Sequence, residues 1–174
     1  FDKYAVPIDD GSGDVVRSSN NELVGDLGAA GGTGDFENAG TTILVAGSHD
    51  GASTIDLGGS NDVTLTADSE NASIVADSTV LDTGSGASSV AVDGLVFEQI
   101  SGTPVITTSG TTTDLSITNN EFLGASSGTV VSLNVVEGLT VTDNLFESDA
   151  DSSNDYDALT ISELTEDDSS AVSV

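Results

Sequence analysis

Hydrophobic and polar positions alternate along much of this chain, and the alternation recurs with a fixed period. Three segments align without gaps, and each ends in phenylalanine: 90–97, 115–122 and 139–146. Phe97 and Phe122 are 25 residues apart, and Phe122 and Phe146 are 24 residues apart. A second apolar pair recurs with the same spacing, at Val80-Leu81, Val105-Ile106 and Val130-Val131. Two patterns that share one period predict a solenoid, in which each repeat forms one coil.

Within each repeat the apolar residues have the period of two that places alternate side chains on one face of a strand. Short β-branched runs are separated by Gly, Ser, Asn and Asp, a pattern that favours strands joined by turns. We predict strands over 42–45, 53–57, 62–67, 73–76, 79–81, 89–92, 95–98, 105–107, 114–118, 121–123, 129–133, 139–142, 145–146 and 158–162. The predicted fold class is therefore all-β, with parallel strands wound into a solenoid.

This repeat resembles the right-handed parallel β-helix, the superfold shared by pectin-degrading enzymes, viral tailspikes and bacterial adhesins. The resemblance covers residues from about 41 to 165 and is clearest over 78–147. We accordingly divide the chain into an N-terminal extension, 1–40, and a β-helix domain, 41–174. Residues 1–20 are expected to be irregular. Residues 20–30 are the best candidate for a short capping helix, begun by Asn20 and ended by Gly31-Gly32.

Stacked coils place equivalent residues above one another, so Phe97, Phe122 and Phe146 should form one internal aromatic column. Asn120 and Asn144 each precede a ring by two residues, and they should form an amide ladder at the bend. An asparagine ladder at this bend is also what the family resemblance implies. The alternative for the two asparagines is an ordinary role in turns. The ring column indicates core packing rather than a ligand site.

Charge narrows the classes of partner. The chain of 174 residues carries 30 Asp and Glu against 2 Lys and Arg, which gives a formal net charge of -28. A field of that sign repels nucleic acid and anionic membrane surfaces, so neither is an expected partner. The dispersed carboxylates resemble the surfaces of proteins from extreme halophiles, especially haloarchaea and their viruses. The alternative is an ordinary acidic extracellular protein loaded with calcium.

The residue types that the sequence lacks exclude further kinds of site and further locations. The chain has no Cys, so it forms no disulfides and no thiolate metal sites. It also has no Met, so we expect either a removed leader or a piece of a longer chain. No apolar run approaches the roughly 20 residues that span a bilayer, so membrane insertion is not expected.

The β-helix resemblance raises the hypothesis of a polysaccharide lyase or hydrolase. Lyases of that superfold use a Lys or Arg base, yet no Lys or Arg follows Arg17. The Gly-His-Gly and Arg-Ile-Lys motifs of the galacturonan hydrolases are also missing from the sequence. A carboxylate pair such as Asp93 and Asp143 is the remaining acid–base candidate. The one histidine, His49, lies in a predicted turn without a partner motif. We therefore assign no catalytic residue.

Two kinds of surface site are candidates, namely a calcium site and a glycosylation site. An acidic segment after Phe146 has alternating oxygen ligands that suit calcium, the one cofactor considered: Asp149, Asp151, Asn154, Asp155 and Asp157. Gly31-Gly32-Thr33-Gly34-Asp35 is similar to one turn of a calcium β-roll. The alternative for both segments is a solvated acidic loop. Asn71-Ala72-Ser73 is an N-glycosylation sequon, with chance occurrence as its alternative.

These observations predict a non-enzymatic structural or attachment protein, located extracellularly on a cell surface or virion of a halophilic archaeon or its virus. It would form part of a fibre, spike or surface filament, through self-association or other fibre subunits, and could display a face to a host-surface glycan. The alternative is a carbohydrate-binding or carbohydrate-cleaving β-helix domain. Because the tail 170–174 alternates like a strand and offers no cap, we expect another chain to cover the last coil.

Overall fold

The computed structural model of the chain is a stack of short, mostly parallel strands. It describes residues 8–9, 14–17, 42–45, 48–50, 54–57, 61–67, 72–76, 78–99, 102–125, 127–148, 156–165 and 171–172. In chain order the strands are β1 Ile8–Asp9, β2 Asp14–Arg17, β3 Thr42–Val45, β4 Ser48–Asp50, β5 Ile55–Asp56, β6 Asn61–Ala67, β7 Ser73–Ala76, β8 Leu81–Asp82, β9 Ala87–Asp93, β10 Val96–Gln99, β11 Ile106–Thr107, β12 Thr111–Thr118, β13 Glu121–Ala125, β14 Gly128–Thr142, β15 Leu145–Ser148, β16 Tyr156–Thr165 and β17 Ala171–Val172. The described ranges contain no helix. The predicted cap helix over 20–30 lies outside them.

Two sheets form the sides of the solenoid. The larger sheet has the order β1-β2-β3-β6-β9-β12-β14-β11-β8-β5, with β16 and β17 added on β14. It covers two sides, because β14 pairs with β11 near its start and with β12 along its second half. The smaller sheet, β15-β13-β10-β7-β4, forms the third side. Every pair is parallel except the antiparallel β1–β2 pair. The predicted all-β parallel solenoid is confirmed, and a right-handed β-helix is consistent with it.

The register of the strands follows the sequence repeat. Val90 pairs with Leu115, and Leu115 pairs with Leu139, as the gapless alignment predicts. On the first side, Leu81, Ile106 and Val131 pair in turn. We name three successive coils by these strands: coil 1 over 79–99, coil 2 over 104–125 and coil 3 over 129–148. One repeat of about 25 residues therefore makes one coil.

Left-handed backbone positions make two corners in each coil. The first corner lies within β9, β12 and β14, at Ser89, Asp114 and Gly138, with φ of 52°, 54° and 73°. The second corner precedes the smaller sheet, at Gly94, Asn119 and Asp143, with φ of 70°, 55° and 57°. Gly, Asn and Asp tolerate this conformation better than other residues do, which explains their recurrence at these corners.

The interior is one apolar cluster that runs the length of the described coils. Its largest fully buried side chains include Phe97, Phe122, Leu65, Ile74 and Ile106. Two buried threonines, Thr83 and Thr112, share a hydrogen bond of 2.6 Å between their hydroxyl oxygens. Their hydroxyls are thus paired, which a buried polar group requires.

Three expectations from the sequence are wrong in part. Residues 1–20 are not irregular throughout, because β2 pairs in parallel with β3 and β1 adds to it. His49 does not lie in a turn but in β4, where it pairs with Ile74. Another chain was expected to cover the last coil, but Ala171 and Val172 of the tail pair with Thr140 and Val141 of the same chain. The chain therefore covers part of its own last coil. In each case a register supplied by a distant strand overrides the local turn or tail composition.

Candidate functional site: internal ladder and outward columns

The three phenylalanines of the repeat lie in one internal column. The ring centroids of Phe97 and Phe122 are 5.1 Å apart, and those of Phe122 and Phe146 are 4.8 Å apart. Both pairs have interplanar angles of 8°. Phe97 and Phe122 are fully buried, whereas Phe146 is half-buried at the end of the column. The parallel register places Ile74 below Phe97, so the column continues as aliphatic packing.

Asn120 occupies the bend below the middle of this column and is 1% exposed. Its Oδ1 accepts a hydrogen bond from the backbone N–H of Leu95 at 3.0 Å. Its Nδ2 donates to the backbone oxygen of Val92 and to Oδ1 of Asn144, each at 3.0 Å. The carboxamide therefore ties three successive coils together and leaves none of its own hydrogen-bonding atoms without a partner.

Asn144 repeats this arrangement one coil further on. Its Oδ1 accepts from both the backbone N–H and the Nδ2 of Asn120, at 3.0 Å each. Its Nδ2 donates to the backbone oxygens of Ile117 and Thr142, at 2.8 and 3.1 Å. The two asparagines thus form the amide ladder that the sequence predicts, rather than separate turn residues.

Removing the Asn120 carboxamide should destabilise the protein strongly. In Asn120→Ala the buried N–H of Leu95 loses its acceptor, and such an unsatisfied group costs about 1–3 kcal/mol. With the loss of the bonds to Val92 and Asn144, we expect a decrease of about 2–4 kcal/mol in the free energy of unfolding. Denaturant titration at molar KCl measures it. Asn134→Ala is the matched control, because Asn134 is exposed, and equal losses in both variants would contradict a structural role for the ladder.

The outward residues of the smaller sheet alternate between apolar and acidic in both directions. Along one column the register stacks Val96, Glu121 and Leu145. Along the other it stacks Val75, Glu98, Leu123 and Glu147. Each glutamate therefore lies beside an apolar side chain on the neighbouring strand and not beside another glutamate. Since like charges directly opposite each other destabilise a sheet, this register lowers the repulsion on that side.

The larger sheet covers two sides of the solenoid, and the side formed by β6, β9, β12 and the end of β14 carries mostly small hydroxyl side chains on its outer surface. Two columns follow from the register: Thr64, Ala91, Ser116 and Thr140 in one, and Thr66, Asp93, Thr118 and Thr142 in the other. Asp93 is the one carboxylate among these eight positions. Its Oδ1 accepts from Oγ1 of Thr118 at 2.7 Å and from Nδ2 of Asn119 at 2.8 Å. We name this surface the threonine face.

The carboxylate pair considered for acid–base chemistry is separated by the fold. Thr118 of coil 2 lies between Asp93 of coil 1 and Thr142, the neighbour of Asp143, in coil 3. Two coils correspond to about 10 Å at about 4.8 Å for each pair of neighbouring strands. Asp93 and Asp143 therefore sit at different coil levels and do not face each other across a cleft.

The calcium and glycan candidates fall mainly on residues that the structure does not describe. Asp149, Asp151, Asn154 and Asp155 lie outside the described ranges, as do Asn71 and the segment 31–35. Asp157 lies in β16, and its side chain is exposed. Among the described residues, no group of three or more His, Asp or Glu side chains could hold a metal ion. The calcium and glycosylation sites stay predictions.

Helices able to cross a membrane are not found in the part of the chain that the structure describes. Comparison with known proteins finds no matching family model, no matching curated protein and no matching solved structure. The features of the chain that bear on its function are therefore the internal amide ladder, the alternating apolar and acidic columns of the smaller sheet, and the threonine face.

The repeat pattern alone did not indicate these two outward surfaces, although most of their residues lie within the aligned segments. Once Phe97, Phe122 and Phe146 are aligned, every residue between them has an assigned column. The alternation of Val96, Glu121 and Leu145 could then have been found from that alignment, because outward columns share the register of inward ones.

Proposed function

We propose that this chain is a non-enzymatic extracellular structural or attachment protein of a halophilic archaeon or its virus, forming part of a fibre, spike or surface filament. The observation that carries this proposal is the continuous register of three coils, in which rings, amides and strands all stack along one axis. Such stacking makes a stiff rod whose long sides are surfaces, and solenoids are suited to extended contacts rather than closed clefts.

The exposure of the carboxylates supports the proposal that the protein functions at high salt concentration. Each aspartate and glutamate whose side-chain burial is described is exposed or half-exposed: Asp62, Asp82, Asp93, Glu98, Asp114, Glu121, Glu137, Asp143, Glu147, Asp157 and Glu163. A hydrated carboxylate shell keeps a protein soluble when molar salt shortens the Debye length to about 3 Å. We also propose that the chain lies outside the cell, on a cell surface or virion, and that its solenoid winds in the right-handed sense of tailspike and adhesin β-helices.

Self-association would use the threonine face. Two chains that each carry a net charge of -28 repel one another across most of their surfaces. The threonine face holds one carboxylate in eight outward positions, whereas the smaller sheet holds three in the seven positions named above, so two rods repel each other less on the threonine face than on the smaller sheet. The antiparallel β1–β2 pair ends the parallel stacking at the N-terminal edge of the larger sheet. This arrangement favours side-by-side packing of rods over end-on growth of that sheet.

The second candidate is a carbohydrate-binding or carbohydrate-cleaving domain, which would display the threonine face to a host-surface glycan. The hydroxyls of Ser116, Thr140 and Thr142 favour it, since hydroxyl groups can donate to and accept from sugar hydroxyls. Cleavage is the weaker part of this candidate, because Asp93 and Asp143 lie at different coil levels.

Sedimentation velocity at molar KCl tests the proposal. We expect the chain to associate reversibly as its concentration rises, and we expect Ser116→Asp to shift that association to at least tenfold higher concentration. Ser73→Asp, which adds the same charge to the smaller sheet beside the uncharged Val96 and Ser48, is the control and should leave association nearly unchanged. A monomer at all concentrations would contradict the proposal. Release of new sugar ends from a polysaccharide, lost in Asp93→Asn, would favour the second candidate instead.

A further inference from the structure

The second corner of coil 1 contains a dipeptide with a chemistry of its own. Asp93 is followed there by Gly94, and an aspartate before a glycine readily closes into a cyclic imide, because glycine has no side chain to hinder the ring. Asp93 is half-buried and Gly94 is exposed, so solvent reaches both residues. Coils 2 and 3 have Thr118 and Thr142 at the register position of Asp93. Of these three coils, coil 1 is therefore the one whose second corner carries the reactive pair.

The reaction needs only atoms of the chain and water. The backbone nitrogen of Gly94 forms a bond to Cγ of Asp93. The hydroxyl of the carboxylic acid leaves with the amide proton as one water molecule. Another water molecule then opens the five-membered ring at either carbonyl carbon. Opening at the former backbone carbonyl gives isoaspartate, in which the main chain runs through Cβ and Cγ of residue 93.

Two donors of coil 2 hold the carboxylate of Asp93 in place. Its Oδ1 accepts from Oγ1 of Thr118 at 2.7 Å and from Nδ2 of Asn119 at 2.8 Å. Hydrogen bonds to an ionised acceptor are stronger than bonds between neutral groups. Ring closure brings Cγ onto the nitrogen of Gly94, and this movement takes the carboxyl group away from both donors.

The amide of Gly94 is fixed to the same coil. Its N–H donates to the backbone oxygen of Thr118 at 3.1 Å. The nitrogen gives up this proton when the ring closes, so the hydrogen bond to coil 2 is lost with it. Both reacting groups of the dipeptide are thus held by coil 2, and the ring can close only after these contacts break.

Isoaspartate at this corner would disturb the interior of the solenoid. It lengthens the main chain by one carbon atom between residues 93 and 94. Leu95 follows directly, and its N–H donates to Oδ1 of Asn120 in the amide ladder. Phe97 of the ring column lies two residues further along the same chain. The modification therefore displaces the residues that join coil 1 to the ladder and to the ring column.

We propose that Asp93 is a latent isoaspartate site, which coil 2 keeps unreactive by holding both Asp93 and Gly94. The site reacts when coil 2 separates locally from coil 1, since local opening needs less free energy than global unfolding. Contact geometry, rather than burial, controls the reaction, because both residues are accessible to water. This inference goes beyond the proposed function and does not depend on it.

Mass spectrometry of the full chain tests the site. Peptides that contain residues 93 and 94 are compared after incubation in molar KCl and in concentrated guanidinium chloride, at one pH and at a protein concentration too low for association. We expect isoaspartate at residue 93 to form at least tenfold more slowly in the folded chain. Equal rates in the two solutions would overturn the inference.

Gly94→Asn is the control for the chemistry. Coil 2 has Asn119 at the same corner with φ of 55°, and a Cβ at Gly94 would meet no atom within 4 Å, so the fold accepts the substitution. Asparagine hinders ring closure. We therefore expect the variant to form isoaspartate at residue 93 at least tenfold more slowly than the parent in guanidinium chloride. An unchanged rate there would mean that the product does not arise from the Asp93-Gly94 ring.

A donor variant tests the role of coil 2. Thr118→Val with Asn119→Gly removes both side-chain donors and keeps a residue at 119 that tolerates the left-handed conformation. We expect isoaspartate at residue 93 to form at least fivefold faster in the folded double variant than in the folded parent. Thr118→Val alone should give an intermediate rate, and it serves as the test if the double variant does not fold.

Val131→Ala is the matched control for lost stability, since Val131 is buried on another side of coil 3 and contacts neither donor's bond to Asp93. Denaturant titration establishes that both variants are destabilised. We expect Val131→Ala to change the rate at residue 93 by less than twofold. If it accelerates the reaction as much as the donor variant does, global unfolding controls the site. If neither donor variant accelerates it, coil 2 does not hold Asp93. Either result would overturn the inference.

Discussion

Replacing Phe122 by alanine should lower the free energy of unfolding by about 3–5 kcal/mol, the range for truncating a fully buried aromatic side chain. Phe122 is 1% exposed and lies between Phe97 and Phe146, with ring centroids 5.1 and 4.8 Å away. The substitution leaves a cavity in the middle of the column and removes both stacked contacts, each worth about 0.5–1.5 kcal/mol beyond burial. The stacked column makes this position the most sensitive of the three.

The matched control is Leu123→Ala, one residue further along the same strand. Leu123 faces outward and is half-exposed, so its truncation should cost less than about 1.5 kcal/mol. Denaturant titrations of both variants at molar KCl measure the difference. Equal losses would mean that Phe122 does not hold an internal position, and the ring column would then be wrong.

Much of the interior could be predicted from the sequence, because a stack of coils forces equivalent residues into equivalent environments. The spacing of Phe97, Phe122 and Phe146 fixes the register, and the register fixes which residues lie inside. Asn120 and Asn144 were predictable for the same reason: a buried amide at a bend needs partners, and the repeat supplies one above it.

Strand boundaries were less predictable where local composition and pairing disagree. Ser48 and Asp50 are common in turns, and His49 between them carries no strand signal. They nevertheless form β4, because β7 offers a complete set of backbone partners alongside. The same holds for Ala171 and Val172, which pair with β14 across an acidic segment. Such pairings depend on residues far away in the sequence.

The candidate surfaces could be predicted only in part. An enzyme site brings together side chains whose chemistry can be recognised, whereas outward columns of a solenoid are defined by register alone. The sequence shows that Ser116 and Thr140 are polar, but only the strand pairing shows that they share the threonine face with a single carboxylate.

Salt should have a large effect on the folded state. Folding gathers the exposed carboxylates on a small surface with two fixed positive charges in the whole chain. These carboxylates repel one another at low salt, and molar salt screens that repulsion. A gain of about 3 kcal/mol in the free energy of unfolding corresponds to a rise of about 10 °C in Tm for a chain of this size.

A charge-altered variant separates screening from general effects of salt on apolar burial. Glu98→Lys, Glu121→Lys and Glu147→Lys together change three exposed positions on the smaller sheet, where each glutamate neighbours an apolar residue. The variant retains the interior, so its response to salt through the hydrophobic effect should be that of the parent chain. Its Tm should depend less steeply on salt, since part of the repulsion is already removed.

We propose that the acidic solenoid is adapted to molar salt, and the dependence of Tm on KCl tests that proposal most directly. We expect Tm of the full chain to rise by about 10 °C between 0.1 and 2 M KCl, and by less in the triple lysine variant. A Tm that stays flat over this range in the parent chain, or that rises equally in both chains, would contradict it.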